Sequence, residues 1–252
     1  MPLTEENYAE LKPFRSRGLR SLSQRIGDVH FEIQRLLAKQ IPIRVMELGC
    51  GFGTTLLELA KRYNGRIELF GLNKDPSDGD RDIVARSGRE LGLLPTDFAD
   101  SLLPTIRYGD AGIGIPYPDG HFDLVISQMC FLYIADKMQC LREVSRILAV
   151  DGVALLDIRE YPGAHWPQWS THKRIEIWSG ATEIDFWDYV AGSPGLERAE
   201  AAAGPYLRLT RSPNIATDLE LVRTVDLSAI HKDWIGTKSV YRMTDDKAAR
   251  PA

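Results

Sequence analysis

The sequence predicts an α/β protein: a mostly parallel central sheet flanked by helices, with antiparallel strands toward the C-terminal end and a helical cap in front. Three observations carry this. The apolar run Ile43-Arg44-Val45-Met46 leads into a turn with glycine at every second position, Gly49, Gly51 and Gly53, and then into Leu56-Leu57-Glu58-Leu59. A second apolar run, Arg66 to Leu72, follows, and strand, helix and strand within about thirty residues make a parallel βαβ unit. Further on, the run from Phe122 to Ile126, the amphipathic stretch Lys137 to Ala149 and the run Gly152 to Ile158 repeat the alternation.

Each element has a local reason. Between Leu22 and Gln40 apolar residues fall at Leu22, Ile26, Val29, Ile33, Leu36 and Leu37, a helical spacing that Pro42 ends. After the second strand, Asp80 to Leu91 and Thr96 to Leu103 read as helical pieces and Thr105 to Tyr108 as a third strand. In Lys137 to Ala149, Met138, Leu141, Val144, Ile147 and Leu148 line one face. Strand-like runs remain at Tyr206 to Thr210, Leu219 to Leu227 and Ser239 to Met243, and the alternation in the second marks a half-buried antiparallel edge strand. Four of the five tryptophans lie between residues 160 and 205, a segment that is either a lid over a flat substrate or a subdomain packed on the sheet.

Composition bounds the function. The chain has 252 residues, 44% of them hydrophobic, enough to bury a full core. No run is long enough to span a bilayer and the first residues do not form a signal peptide, so a cytoplasmic protein without a membrane partner is expected. Cys50, Cys130 and Cys140 show no C-x-x-C spacing, so they are read as reduced packing residues and no metal is expected. A net charge of −4 gives no general attraction to nucleic acid. The local exception, Lys12 to Arg20 with Arg25 beyond it, is read as a solvated basic segment. Monomer and homodimer both stay open.

The glycine turn carries the chemistry. Glycines at every second position let the backbone turn tightly and approach a ligand closely, which points to a nucleoside-like cofactor. A dinucleotide fingerprint needs a glycine where Thr54 stands, and the Glu47 carboxylate would repel a pyrophosphate but suit an ammonium and a sulfonium. The pattern Glu47-x-Gly49-x-Gly51-x-Gly53 resembles the first motif of the class I S-adenosylmethionine-dependent methyltransferases. Gly109-Asp110-Ala111, followed by Pro116-Tyr117-Pro118-Asp119-Gly120-His121-Phe122-Asp123-Leu124-Val125-Ile126-Ser127, resembles the same family's next motifs, and Lys137 to Ile158 its helix and fifth strand.

The resemblance spans about residues 43 to 158 and implies a Rossmann-like fold, S-adenosyl-L-methionine as cofactor and S-adenosyl-L-homocysteine as product. It divides the chain into an N-terminal segment and cap helix (1–41), a cofactor-binding core (42–158), an aromatic-rich lid or substrate segment (159–205), C-terminal strands completing the sheet (206–243) and a tail (244–252). It implies that Glu47, Gly49, Cys50, Gly51 and Gly53 frame the methionine end, that Asp110 and Ala111 meet the adenine and that Gln128 borders the methyl-transfer mouth. The ribose position departs from the family, because Asn73 stands where an acidic residue is usual and Lys74 and Asp75 follow; which of these touches the cofactor stays open.

For the acceptor, His165, His172 and Tyr8 are the candidate catalytic residues, and Tyr8, Tyr133, Trp166, Trp169 and Trp178 the candidate substrate contacts. The reading is methyl transfer to nitrogen or oxygen of a small, aromatic or heteroaromatic molecule in a biosynthetic pathway. Two alternatives stand beside it: a macromolecule methyltransferase docking RNA or protein on the basic segment, and a non-catalytic or NADP-linked protein in which Lys74 meets a 2′-phosphate.

Overall fold

The computed structural model describes residues 17–95, 97, 100, 103–158, 173–230 and 235–244. Its central sheet has seven strands: β1 (Ile43–Leu48), β2 (Ile67–Asn73), β3 (Thr105–Tyr108), β4 (Phe122–Ser127), β5 (Leu148–Leu156), β8 (Leu196–Ala201) and β9 (Gly204–Thr210). Their order is β3-β2-β1-β4-β5-β9-β8, with β9 antiparallel to both of its neighbours and the first five strands parallel to one another. This is the Rossmann-like arrangement. The chain reverses its winding between β1 and β4, so the crevice at their C-terminal ends is where such a sheet takes a ligand.

Helices cover both faces. The alternation of β1 sends Val45 to one side and Met46 and Leu48 to the other. Val45 joins Leu124 and Ile126 under α1 (Leu19–Ile26), α2 (Val29–Leu37) and α3 (Thr54–Tyr63). Met46 and Leu48 pack with the apolar stripe of α5 (Lys137–Ile147) and with Phe186, Tyr189 and Val190 of α6 (Phe186–Ala191). Helix α4 (Arg81–Glu90) lies outside α3, where Val84 meets Leu57 and Leu94. Burying side chains of this size on both faces stabilises the fold by about 1.5–3 kcal/mol each before chain entropy is counted.

The cap departs from the single helix expected over Leu22 to Gln40. Gly27 takes a φ of 77° and the Asp28 carboxylate accepts from the Phe31 N–H, so one helix ends and a capped second one begins. The apolar positions are still buried, because the break preserves the face. The helical piece expected around Thr96 to Leu103 lies largely outside the described residues.

The C-terminal strands differ more. Only β9, with β8, extends the central sheet. Strands β10 (Leu219–Asp226) and β11 (Thr237–Met243) form a second, four-stranded sheet with β6 (Ile175–Ser179) and β7 (Thr182–Ile184), ordered β10-β11-β6-β7. β10 is an antiparallel edge strand, as its alternation predicts, but of this second sheet. The reason is a set of polar anchors on the strands that all address the turn before α5. Thr237 Oγ1 donates to Ile134 O, Ser239 Oγ and Thr224 Oγ1 donate to Ala135 O, and Tyr241 OH donates to Asp136 Oδ1 and accepts from Met138 N. Buried Lys137 adds bonds to Ile134 O and to both oxygens of Thr237, and burial, helped by Arg174, pulls its pKa down to about 7. Among the described residues no helix is long and apolar enough to cross a membrane.

Tyr241→Phe keeps the ring but strands the Met138 N–H and removes the bond to Asp136, so it is expected to cost about 1–2 kcal/mol, read as a lower urea midpoint with an unchanged slope.

Candidate cofactor site

The site forms where β1 and β4 end. Residues 49 to 53 turn from β1 into α3 with φ values of 71°, 52° and 75° at Gly49, Gly51 and Gly53, the left-handed region in which side chains are strained. Space forbids side chains at the outer two as well. A Cβ on Gly49 would lie 2.6 Å from Cys130 Cβ, and one on Gly53 3.0 Å from Val84. These glycines hold the turn against its own protein neighbours.

Glu47 stands at the end of β1 with 2% exposure. Gln128, just past β4, donates through Nε2 to Glu47 Oε1 at 3.4 Å, to Thr55 Oγ1 at 3.0 Å and to the Arg17 carbonyl at 3.2 Å. Thr55, in the first turn of α3, donates its hydroxyl to the same carbonyl at 2.8 Å. Four parts of the chain thus meet in one buried polar knot. Burial pushes the Glu47 carboxyl up to about 8, against the opposing pull of Gln128 and Thr55. Two acceptors in it, Glu47 Oε2 and Gln128 Oε1, are buried with no hydrogen-bond partner among the described residues. A ligand ammonium, cationic and rich in N–H groups, suits both oxygens in charge and in donor chemistry.

The other predicted cofactor residues divide. Asp110 and Lys74 come together at 3.1 Å, and Asp110 Oδ1 also accepts from Gly112 N. Lys74 is therefore turned toward a carboxylate rather than held ready for a phosphate. Ala111 is buried in the core beside Ile115 and Tyr117. Two of them turn a side chain inward. The Cys50 thiol points at β2, where a Cβ on Gly71 would sit 2.4 Å from its sulfur, and burial raises its pKa. Asn73, one of the three residues left open for the ribose, has its amide turned onto the chain's own backbone, with Nδ2 donating to Gly51 O at 3.0 Å and Gly79 O at 2.8 Å.

On the acceptor side, Tyr133 is 56% exposed on the short turn Phe131–Tyr133 after β4, close enough to Arg17 for each to influence the other's ionisation. Trp178, expected to contact substrate, lies on β6 in the second sheet, paired across to Arg242 and Glu183, and its indole N–H donates to Glu176. It is not among the residues gathered at the glycine turn. Tyr8, His165, Trp166, Trp169 and His172 lie outside the described residues.

Sequence reasoning missed three participants. Asp157, just past β5, accepts from Arg25 Nη1 at 2.9 Å and from the Met129 N–H at 3.3 Å. It thereby supports Met129, which follows Gln128 with a φ of 57°. An acidic residue at the C-terminal end of a central strand was the available signal. Thr55 had a weaker one, a hydroxyl in the first turn of the helix after the glycines. Arg17 acts through its carbonyl, which every residue type carries, so its identity offered none.

A family model described as a methyltransferase domain matches residues 46–156. Ajmaline N-methyltransferase of Rauvolfia serpentina is 35% identical over 108 residues, 43% of this chain and 33% of that protein. Sarcosine/dimethylglycine N-methyltransferase of Halorhodospira halochloris is 32% identical over 110 residues, 43% of this chain and 34% of that protein. The chain thus spans about a third of the length of these curated relatives. A crystal structure from Methanococcus maripaludis, titled as a candidate S-adenosyl-L-methionine-dependent methyltransferase, shares the fold with a TM-score of 0.52 at 18% identity, over 82% of this chain and 91% of that one. The parallel strands, the glycine turn and the buried carboxylate all lie within or beside residues 46–156, the stretch that matches the methyltransferase domain.

Proposed function

We propose that this protein transfers the methyl group of S-adenosyl-L-methionine to a nitrogen or oxygen of a small aromatic or heteroaromatic molecule. The observation that carries the cofactor half is the pair of acceptors, Glu47 Oε2 and Gln128 Oε1, buried beside the glycine turn with no partner among the described residues. Glu47 and Gln128 would hold the ammonium of the cofactor's methionine part, and the turn backbone its adjoining atoms. When bound, the cofactor supplies an activated methyl group, so the protein's task is alignment and exclusion of water. The Asp157 carboxylate and Arg25 brace the turn after β4 that carries Gln128 and leads to Tyr133.

The acceptor half rests on analogy and on Tyr133. Two relatives are named as N-methyltransferases of small molecules, which favours nitrogen. The half-exposed Tyr133 ring offers flat contact area and a hydroxyl to orient an acceptor. In this reading His165 or His172 takes the acceptor's proton, and Tyr8, Trp166 and Trp169 are its further substrate contacts.

A thermal-shift titration with S-adenosylhomocysteine and NADP⁺ side by side tests the cofactor, since a ligand of the native state raises its stability with concentration over Kd. Stabilisation by the first alone is expected, and none by it would overturn the reading. Incubation with methyl-labelled cofactor and a panel of small aromatic amines and phenols tests the acceptor; label appearing only in RNA or protein would refute it.

Glu47 also sets a pH dependence. Its folded pKa of about 8 lies above the ordinary 4.5, so the native state holds a proton that the unfolded chain has lost between those values. The contribution of this group to the stability of the free protein is therefore greatest below about pH 4.5 and falls toward pH 8, by at most about 1.4 kcal/mol per unit. In Glu47→Gln this part of the slope is expected to vanish, measured by urea unfolding across pH 5 to 8 at several points. Binding of the ammonium needs the carboxylate, so affinity for S-adenosylhomocysteine should rise with pH up to about tenfold per unit below pH 8, and Glu47→Gln should bind weakly with a flat profile, followed by calorimetry.

A further inference from the structure

Asn73 ends β2 with 3% exposure and every hydrogen-bonding position of its amide used. Both N–H groups are spent, one on Gly51 O and one on Gly79 O. The oxygen accepts from Gly51 N at 2.8 Å and from the Cys50 thiol at 3.4 Å, which fills its two lone pairs. The side chain thus holds both the N–H and the C=O of the central glycine of the turn and ties that residue to Gly79 in the loop after β2. The loop is pressed close. A Cβ on Gly79 would lie 2.2 Å from Gly51 O, at a φ of 144° that side chains avoid.

An aspartate could not replace this. It would accept from Gly51 N but could donate nothing, and its charge would face the two carbonyl oxygens that Nδ2 now satisfies. From this geometry we infer that Asn73 is a positioning residue: it staples the loop at residues 75–79 onto the glycine turn, and it takes no part in holding the ribose hydroxyls of the cofactor. The inference rests on the cofactor reading above for its ligand, though the staple belongs to the free protein. It reverses the ordinary expectation for this strand end, where an acidic residue would be installed to tighten ribose binding. Here Asn73→Asp loosens the turn that frames the cofactor.

The test is a calorimetric comparison of S-adenosylhomocysteine with its 2′-deoxy and 3′-deoxy analogues on the wild type, Asn73→Asp, Asn73→Ser and Gly79→Ala. The three variants are expected to weaken the parent ligand by about tenfold and the analogues by the same factor, leaving the parent-to-analogue ratio at its wild-type value within about twofold. A ratio that falls to one in Asn73→Ser would place the side chain on the ribose and overturn the inference, as would tighter binding by Asn73→Asp. Hydrogen exchange on the ligand-free proteins reads the staple independently of any cofactor. Amides of Gly51 and of residues 77–79 should exchange about tenfold faster in Asn73→Ser than in wild type, and unchanged protection would overturn the staple. If wild type binds no S-adenosylhomocysteine while exchange behaves as expected, the cofactor reading fails and the staple stands.

Discussion

The site depends on close packing around a stretch of backbone that carries almost no side chains. Residues 49 to 53 are approached from three directions: Cys130 from the turn after β4, Val84 from α4, and Gly79 from the loop after β2. Each contact is at or inside ordinary van der Waals distance of where a Cβ would be. A turn held this way has few alternative conformations, because protein interiors yield little to displacement. Its rigidity comes from neighbours distant in sequence, and the glycines are what allow those neighbours in.

Against this backbone the protein buries the carboxyl group of Glu47. Removing a charge from water is expensive, and Glu47 meets that cost by keeping its proton near neutral pH and by a hydrogen bond with Gln128. The knot is left with two acceptors that have no hydrogen-bond partner among the described residues. Such an arrangement weakens the free protein and rewards a cationic ligand, so stability is given up where affinity is gained. Asp157 and Arg25 show the other solution to buried charge, a direct pair at 2.9 Å, and they serve to hold the turn carrying Gln128.

The second sheet joins the domain at the segment between Ile134 and Met138, just after that same turn. The anchors from Thr224, Thr237, Ser239 and Tyr241 converge there, and a Cβ on Gly236 would lie 2.0 Å from Leu132 O. The sheet is thereby fastened next to Tyr133. Whatever reaches Tyr133 passes beside an element that the methyltransferase domain match, ending at residue 156, does not include.

Much of the core was legible because its signals are local. The apolar run before the glycines, the helical stripe of α5 and the run of β4 each declare themselves through periodicity, and the parallel βαβ order follows from chain handedness. Glu47 and Gln128 were legible by their places at strand ends. The single cap helix and the sheet-completing role of β10 and β11 were misjudged, because Gly27 with Asp28 breaks a helix without breaking its apolar face, and strand partners depend on anchors far away in sequence. By itself the sequence determined the α/β order, the glycine turn and the acidic residue at its entrance, since these rest on the intrinsic preferences of consecutive residues. Only the tertiary structure decided that Asn73 faces the turn, that Cys50 faces β2 and that the carbonyl of Arg17 closes the knot. Those outcomes are set by which backbone groups the packed chain brings within hydrogen-bonding distance, and no residue type announces them in advance.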